Sequence, residues 1–243
     1  MAEKILFVFE GEKTEHVLTK NLIGNYIQSE DNAVVKVSFC GEIYQLYRKM
    51  IADDFGIEYV DVFPFLQERD KNLSQYERKD FSQIYLFFDY DPHATDANAE
   101  NLMSMLSVFN QETEKGKLFI SYPMVESLRC FNGNKQDFFD LKVLLSDVSS
   151  FKSYVQGYAH KVYNDVPKWS KGLWKEVIEL HCEKAERLIR NELCYPESVI
   201  DQDSILTKQV EIESQHNAVI VLNAFPLMLW YHFGIKLPDL LMR

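Results

Sequence analysis

The sequence predicts a mixed α/β protein, with a mostly parallel central sheet flanked by helices and a helical C-terminal region. Three observations predict it. Short β-like runs alternate with helix-spaced runs through the first half of the chain, as in β-α repeats. Residues 5–9 (Ile-Leu-Phe-Val-Phe) and 84–88 (Ile-Tyr-Leu-Phe-Phe) are apolar at every position, as strands buried on both faces are. From about Asp137 onward helical periodicity dominates. The expected division is an α/β domain over 1–130 and a helical region over 131–243, without a Gly/Ser-rich linker between them.

The elements follow in order. After the first strand and Glu10-Gly11, residues 14–27 read as a helix, with Leu18, Leu22 and Tyr26 recurring every four residues. Residues 33–40 read as a second strand, ended by Gly41. A helix is expected over 43–55, where Tyr44, Tyr47 and Ile51 share a face. Residues 59–66 are β-like, and 84–88 is the next buried strand. A helix over 95–109 puts Leu102, Leu106 and Phe109 in register, and 117–121 is a short strand. Helical spacing then recurs over 139–145, 173–193 and 205–212. The apolar stretch 218–233 is shorter than the ~20 residues of a membrane span and is interrupted by Asn223 and Pro226, so it reads as a buried helical segment.

Composition narrows the function. The 243 residues suit one generous domain, or one domain with a helical appendage. Gly (9) and Pro (7) are too scarce for a linker-like or disordered chain. Lys plus Arg is 26 against 37 Asp plus Glu, a net charge of −11, which argues against coating nucleic acid by bulk charge. Any phosphate must be met at a local basic patch or through a bound cation. The four cysteines form no C-x-x-C pair, and the N-terminus carries no signal-like segment, so reduced thiols in a cytoplasm are expected.

Acids fall at the ends of the buried strands. Glu10 follows the first, Asp89 and Asp91 follow 84–88, and Glu126 comes shortly after 117–121. In open α/β sheets, sites lie outside the carboxyl ends of the strands. Acids in loops often do no more than initiate turns. Several held together repel one another unless a cation shares them, and an oxygen-rich set without His or Cys suits Mg²⁺ or Mn²⁺. Such ions serve phosphoryl chemistry. Gly11-Glu12-Lys13-Thr14 has the flavour of a phosphate loop, but the earlier glycine of G-x-x-x-x-G-K-[ST] is missing and Glu10 and Glu12 would repel a nucleotide.

Taken together, these motifs resemble a known family. Phe9-Glu10-Gly11-Glu12-Lys13-Thr14-Glu15 after an apolar strand resembles the first motif of Toprim domains, in the E-G-x-x-T-E version of RloB-like and OLD-type nucleases. Gly41 matches the glycine those proteins carry after the second strand. Asp89-Tyr90-Asp91 is similar to the Toprim D-x-D, and residues 121–126 (Ser-Tyr-Pro-Met-Val-Glu) resemble the S-x-P-x-x-E segment of the RloB-like group. The resemblance covers roughly residues 4–130. It implies a Toprim-like fold and Mg²⁺- or Mn²⁺-dependent cleavage of phosphodiester bonds with one or two ions. Carried over, Glu10 is the acid nearest the reacting phosphate, Asp89 and Asp91 hold metal, and Glu126 and Glu15 complete the metal sites. The chain lacks the ATPase of OLD proteins and the extra domains of topoisomerases and primases. What remains resembles a stand-alone effector, like the Toprim subunits of antiphage systems such as PARIS, which work with a separate ABC-type ATPase.

The expected function is thus an Mg²⁺-dependent endonuclease acting on RNA, tRNA included, or on DNA, in defence against phage. The alternative is a catalytically silent Toprim-fold subunit that docks on an ATPase; a phosphatase of small phosphoesters is a third reading. A homodimer stays open, and no membrane partner is expected. Candidate substrate contacts are Lys13, His93 and Arg129, together with Lys152, Lys161, Lys168 and Lys171 of a locally basic stretch interleaved with Phe151, Tyr154, Tyr158, Tyr163, Trp169 and Trp174. Lysines beside stacking rings suit looped or single-stranded nucleic acid. The same pattern fits a helical core with a solvated lysine face. His93 equally reads as a cap of the next helix, and Arg129 as a partner of Glu126.

Overall fold

The computed structural model describes residues 3–29, 32–52, 57, 59, 61–94 and 98–242. The chain divides into two compact units, Met1–Leu118 and Phe119–Arg243. The architecture is the mixed α/β one expected, with a five-stranded, mostly parallel sheet, flanking helices and a helical C-terminal region.

The strands are β1 (Glu3–Phe9), β2 (Asn32–Ser38), β3 (Gln83–Asp89), β4 (Asn110–Gln111) and β5 (Gly116–Ser121), in the order β2-β1-β3-β5-β4. β1 pairs in parallel with β2, from Glu3 opposite Asn32 to Phe9 opposite Ser38. On its other side it pairs in parallel with β3, from Ile5 opposite Gln83 to Phe9 opposite Phe87. β4 is a short antiparallel partner of β5. Residues 5–9 and 84–88 are all buried, which explains their unbroken apolarity. From β1 the chain moves through helix α1 (Thr14–Leu22) to β2 on one side, and later enters β3 on the other. The carboxyl ends of β1 and β3 therefore flank a topological switch point, where open α/β sheets leave a crevice.

α1 runs on into a π-helical turn, Ile23–Ile27, matching the expected span. Helix α2 (Ile43–Ile51) buries Ile43, Tyr44, Leu46 and Met50; residues 53–55, the end of the expected helix, lie outside the described set. The β-like reading of 59–66 is corrected to a helix, α3 (Phe63–Arg69). Asp61 Oδ1 accepts the Phe63 amide at 2.9 Å, and Pro64 sits in the first turn, where its missing N–H costs nothing. Helix α4 (Ala99–Val108) is capped by Asn98, whose side chain accepts the Glu100 amide; 95–97 lie outside the described residues. Gly116 opens β5 at φ +120°, and a Cβ there would stand 2.5 Å from Leu86 Cδ1, so only glycine fits against β3.

The second unit is built on α7 (Lys171–Arg190), which starts at the Ser170 cap and ends at Asn191 in the left-handed conformation. Before it come α5 (Lys135–Asp140), β6 (Lys142–Leu144) and α6 (Phe151–Tyr158). After it come α8 (Gln202–His216), β7 (Ala218–Ile220), α9 (Ala224–Phe233) and α10 (Leu237–Leu241). Two helical expectations need correction. Within 139–145 the helix stops at Asp140 and 142–144 pair with β7 as an antiparallel ladder. Within 218–233 a strand comes first, and the helix begins only after Asn223, whose side chain accepts the Phe225 amide at 3.0 Å. Continuous burial erased the periodicity that separates strand from helix there. Among the described residues, no helix is long and apolar enough to cross a membrane.

Candidate active site

The first unit gathers acids at the carboxyl ends of its parallel strands. Glu10 follows β1; its amide donates to Phe87 O at 3.1 Å, extending the β1–β3 ladder by one rung. Its carboxylate turns toward β3, where Oε2 accepts the Asp89 amide at 3.0 Å. Glu15, in the first turn of α1, is buried, and its Oε1 accepts the Gly11 amide at 2.9 Å. Gly11 makes this fold-back possible, since a Cβ there would stand 2.9 Å from Glu15 Oε2. Asp89, Tyr90 and Asp91 alternate as expected: Tyr90 is buried, and the two acids are half-buried. Asp91 Oδ1 accepts the His93 amide at 2.9 Å, a turn closed by the acid's side chain.

Electrostatics link these acids. The Glu10 carboxyl is pushed up to about 7, first by burial and then by the carboxylates of Glu15, Asp91 and Glu42, against the lowering effect of the Asp89 amide. Glu42 was not among the sequence candidates. It stands just before α2, directly after Gly41, so the signal was an acid at the end of the second parallel strand. An open cavity of about 580 Å³ lies over this edge, lined by Glu10, Glu12, Lys13, Glu15, Cys40 and Glu42 among others. The N-termini of α1 and α2 both face it, which places positive dipole ends beside the acids.

The donor types are those a hard divalent cation takes, although among the described residues no three of these acids bring ligand atoms within 4.8 Å of one another. Carboxylate oxygens dominate, one oxygen of Glu10 and one of Glu15 is fixed by a backbone amide, and the cluster carries excess negative charge that raises Glu10. A tighter trio of ligand-type atoms, within 4.8 Å of one another, occurs in the second unit at Glu186, Glu192 and Cys194. There Arg190 already pairs with Glu186 at 2.5 Å, so the charge is met without a metal.

Other expected residues fall elsewhere. Glu126 belongs to the second unit, where it is buried and paired with Lys152 at 3.3 Å. Arg129 donates to Asn164 Oδ1 at 3.1 Å. Lys168 pairs with Asp165 at 2.6 Å, while Lys161 and Lys171 are exposed. Phe151, Tyr163, Trp169 and Trp174 are buried, so much of the aromatic signal in this stretch is core. Tyr154 is exposed and stacks on Tyr158 with centroids 5.0 Å apart and planes at 18°. His93 is exposed, and the cap of the following helix is Asn98 rather than His93. Lys13 is exposed at the rim of the acidic cavity. All four cysteines are free thiols. His181 and Cys182, adjacent on α7, are both buried and serve different neighbours, Asn223 and Pro226.

No family model matches the chain, and no curated protein or solved structure matches it significantly.

Proposed function

We propose that the first unit is a divalent-metal-dependent nuclease that hydrolyses phosphodiester bonds of RNA or DNA. The observation that carries this reading is Glu10, a half-buried carboxyl pushed up to about 7 and hydrogen-bonded to the Asp89 amide at a topological switch point. Asp89, Asp91, Glu15 and Glu42 are the acids that would hold Mg²⁺ or Mn²⁺ beside it. A bound ion would polarise a phosphate and lower the pKa of water. Without an ion Glu10 holds a proton up to about pH 7; a bound cation would lower that affinity and leave its carboxylate able to accept a proton. Lys13 at the rim would meet a phosphate. In the second unit, exposed Lys161 and Lys171 and the Tyr154–Tyr158 stack are the features that would touch a nucleic acid. An ABC-type ATPase as a restraining partner and a role in antiphage defence rest on the motif resemblance alone.

The experiment compares the protein with Glu10→Gln and Asp89→Asn. Mn²⁺ binding is followed by electron paramagnetic resonance, and labelled RNA, single-stranded DNA and duplex DNA are offered with Mg²⁺. The expected result is metal-dependent cleavage of one polymer, reduced about 100-fold or more in Glu10→Gln, and weakened Mn²⁺ binding in Asp89→Asn. Cleavage unchanged in Glu10→Gln would sink the reading. Faster turnover of small phosphoesters than of any polymer would redirect it to a phosphatase.

A further inference from the structure

The second unit contains a cavity of about 240 Å³ between the end of α5, β6, α7 and the α8–β7 hairpin. Its charged lining is Lys142, Lys184, Arg187 and Asp140; Leu188, Ile212 and Ile220 contribute apolar wall. Three cations therefore face one carboxylate. Lys184 is buried, 5% exposed, and two of its three protons go to the carbonyls of Phe138 at 2.6 Å and Leu141 at 2.9 Å. Those bonds finish α5, a structural task, and leave one donor. Arg187 Nη2 pairs with Asp140 Oδ1 at 2.9 Å, but Nη1 is buried with no acceptor among the described residues. A buried guanidinium N–H without an acceptor is uncommon. The cations also oppose one another: burial first, then Lys142 and Arg187, press the Lys184 ammonium down to about 7, more than Cys130 and Asp140 offset.

We propose that this cavity binds the phosphate group of a small phosphomonoester, with Lys142 and the Arg187 guanidinium as its donors and Lys184 beneath it. With the three cations charged, the lining carries +2 net, which matches a phosphomonoester of about −1.5 to −2 near neutral pH. An arginine fork beside a lysine is a common way to hold phosphate. The cavity is larger than one phosphate, and its apolar wall gives the ester substituent a place. The site is independent of the nuclease reading, since every residue in it belongs to the second unit.

The test is calorimetric titration of the full chain at pH 7 in EDTA, with inorganic phosphate and with phenyl phosphate as probes. Saturable binding is expected, tighter for phenyl phosphate, and weakened about tenfold or more in Arg187→Gln, the weight of one charge-assisted hydrogen bond. Lys142→Ala changes an exposed side chain and should weaken binding without touching the core. Glu10→Gln should leave it unchanged, which separates this site from the acidic one. Tighter binding of inorganic phosphate would mean that the apolar wall plays no part and would overturn the ester assignment. Absence of saturable binding for both probes, or equal affinity in the protein and both variants, would overturn the proposal.

Discussion

The Asp89 amide donates to Glu10 Oε2 across 3.0 Å, joining the ends of two strands that are neighbours in the sheet but 79 residues apart in sequence. The bond fixes the orientation of a half-buried carboxylate whose other neighbours are acids. A carboxylate in that setting would ordinarily be neutralised by a proton or a cation. Both outcomes have consequences that can be measured.

The first concerns pH. The Glu10 carboxyl lies near 7 in the folded chain against an ordinary value of 4.5. Below 4.5 it is protonated both folded and unfolded and has no effect. As pH rises from 4.5 to about 7, the unfolded chain gives up this proton first, so stability is lost across that window and stays lost above it. Glu10→Gln keeps an acceptor for the Asp89 amide and removes the charge. It should raise stability at pH 8 by up to about 3 kcal/mol and have little effect near pH 4.5. Mg²⁺ should stabilise the wild type more at pH 8 than at pH 5, and Glu10→Gln should blunt that difference. Urea unfolding at the two pH values, with and without Mg²⁺, checks both statements. An equal effect of the substitution at both pH values would contradict the electrostatic account.

Much of this site could be read from the sequence, because its parts are local. An apolar run that ends in an acid marks a buried strand and the chemistry at its tip together, as at Phe9-Glu10 and Phe88-Asp89. Glu42 escaped because no apolar run of comparable strength precedes it; β2 is half-buried over much of its length. The helix at 63–69 was missed because Val62 and Phe63 look β-like, and only the Asp61 turn and Pro64 announce the helix. The strand at 218–220 was hidden for the opposite reason: everything around it is buried, so no period remains to be read. In the basic stretch, charge and aromaticity are two patterns laid over each other. Trp169 and Trp174 belong to the core, and Lys152 answers the buried Glu126.

His181 gives a second, opposite pH response. It is fully buried in α7; Nδ1 accepts the Asn223 amide at 3.1 Å, and the ring also bonds the Leu128 backbone. Burial first, and then Lys184, presses it from 6.5 to about 3. The folded chain therefore keeps it neutral where the unfolded chain would protonate it, so stability falls as pH drops below about 6.5. His181→Phe strands the Asn223 amide and should cost about 1–3 kcal/mol at pH 8. The cost should shrink at pH 5, where the wild type bears its own penalty. Denaturant midpoints at the two pH values test this; an equal gap at both would show that His181 does not titrate as described.

Gly116 tests the packing of the sheet. Its φ of +120° is poorly suited to an L side chain, and its missing Cβ leaves room for Leu86 and Ile84 of β3. Gly116→Ala should destabilise by about 2 kcal/mol or more, combining backbone strain with overpacking. Thermal unfolding of that variant beside Gly133→Ala separates the two causes. Gly133 also has positive φ, +98°, but a Cβ added there would meet nothing within 4 Å. If the two variants lose the same amount, the contact with Leu86 adds nothing.

Asn223 holds the second unit's buried polar cluster together. It has no exposure, and its Nδ2 donates to Val125 O at 3.0 Å and Ser127 Oγ at 3.1 Å, with Ser121 Oγ at 3.4 Å. Its Oδ1 caps α9 through the Phe225 amide. One side chain thus begins a helix and satisfies the loop that carries Glu126. Asn223→Asp keeps the acceptor for the cap but loses the amide donors and introduces a buried charge, whereas Asn223→Ala loses the cap as well. Both should cost about 3 kcal/mol or more, and only the aspartate variant should recover part of its stability on acidification, as its carboxyl becomes protonated. Chemical denaturation of both variants at pH 8 and pH 5 provides the check. Parallel behaviour of the two would mean that the lost donors, rather than the cap or a buried charge, dominate the role of Asn223.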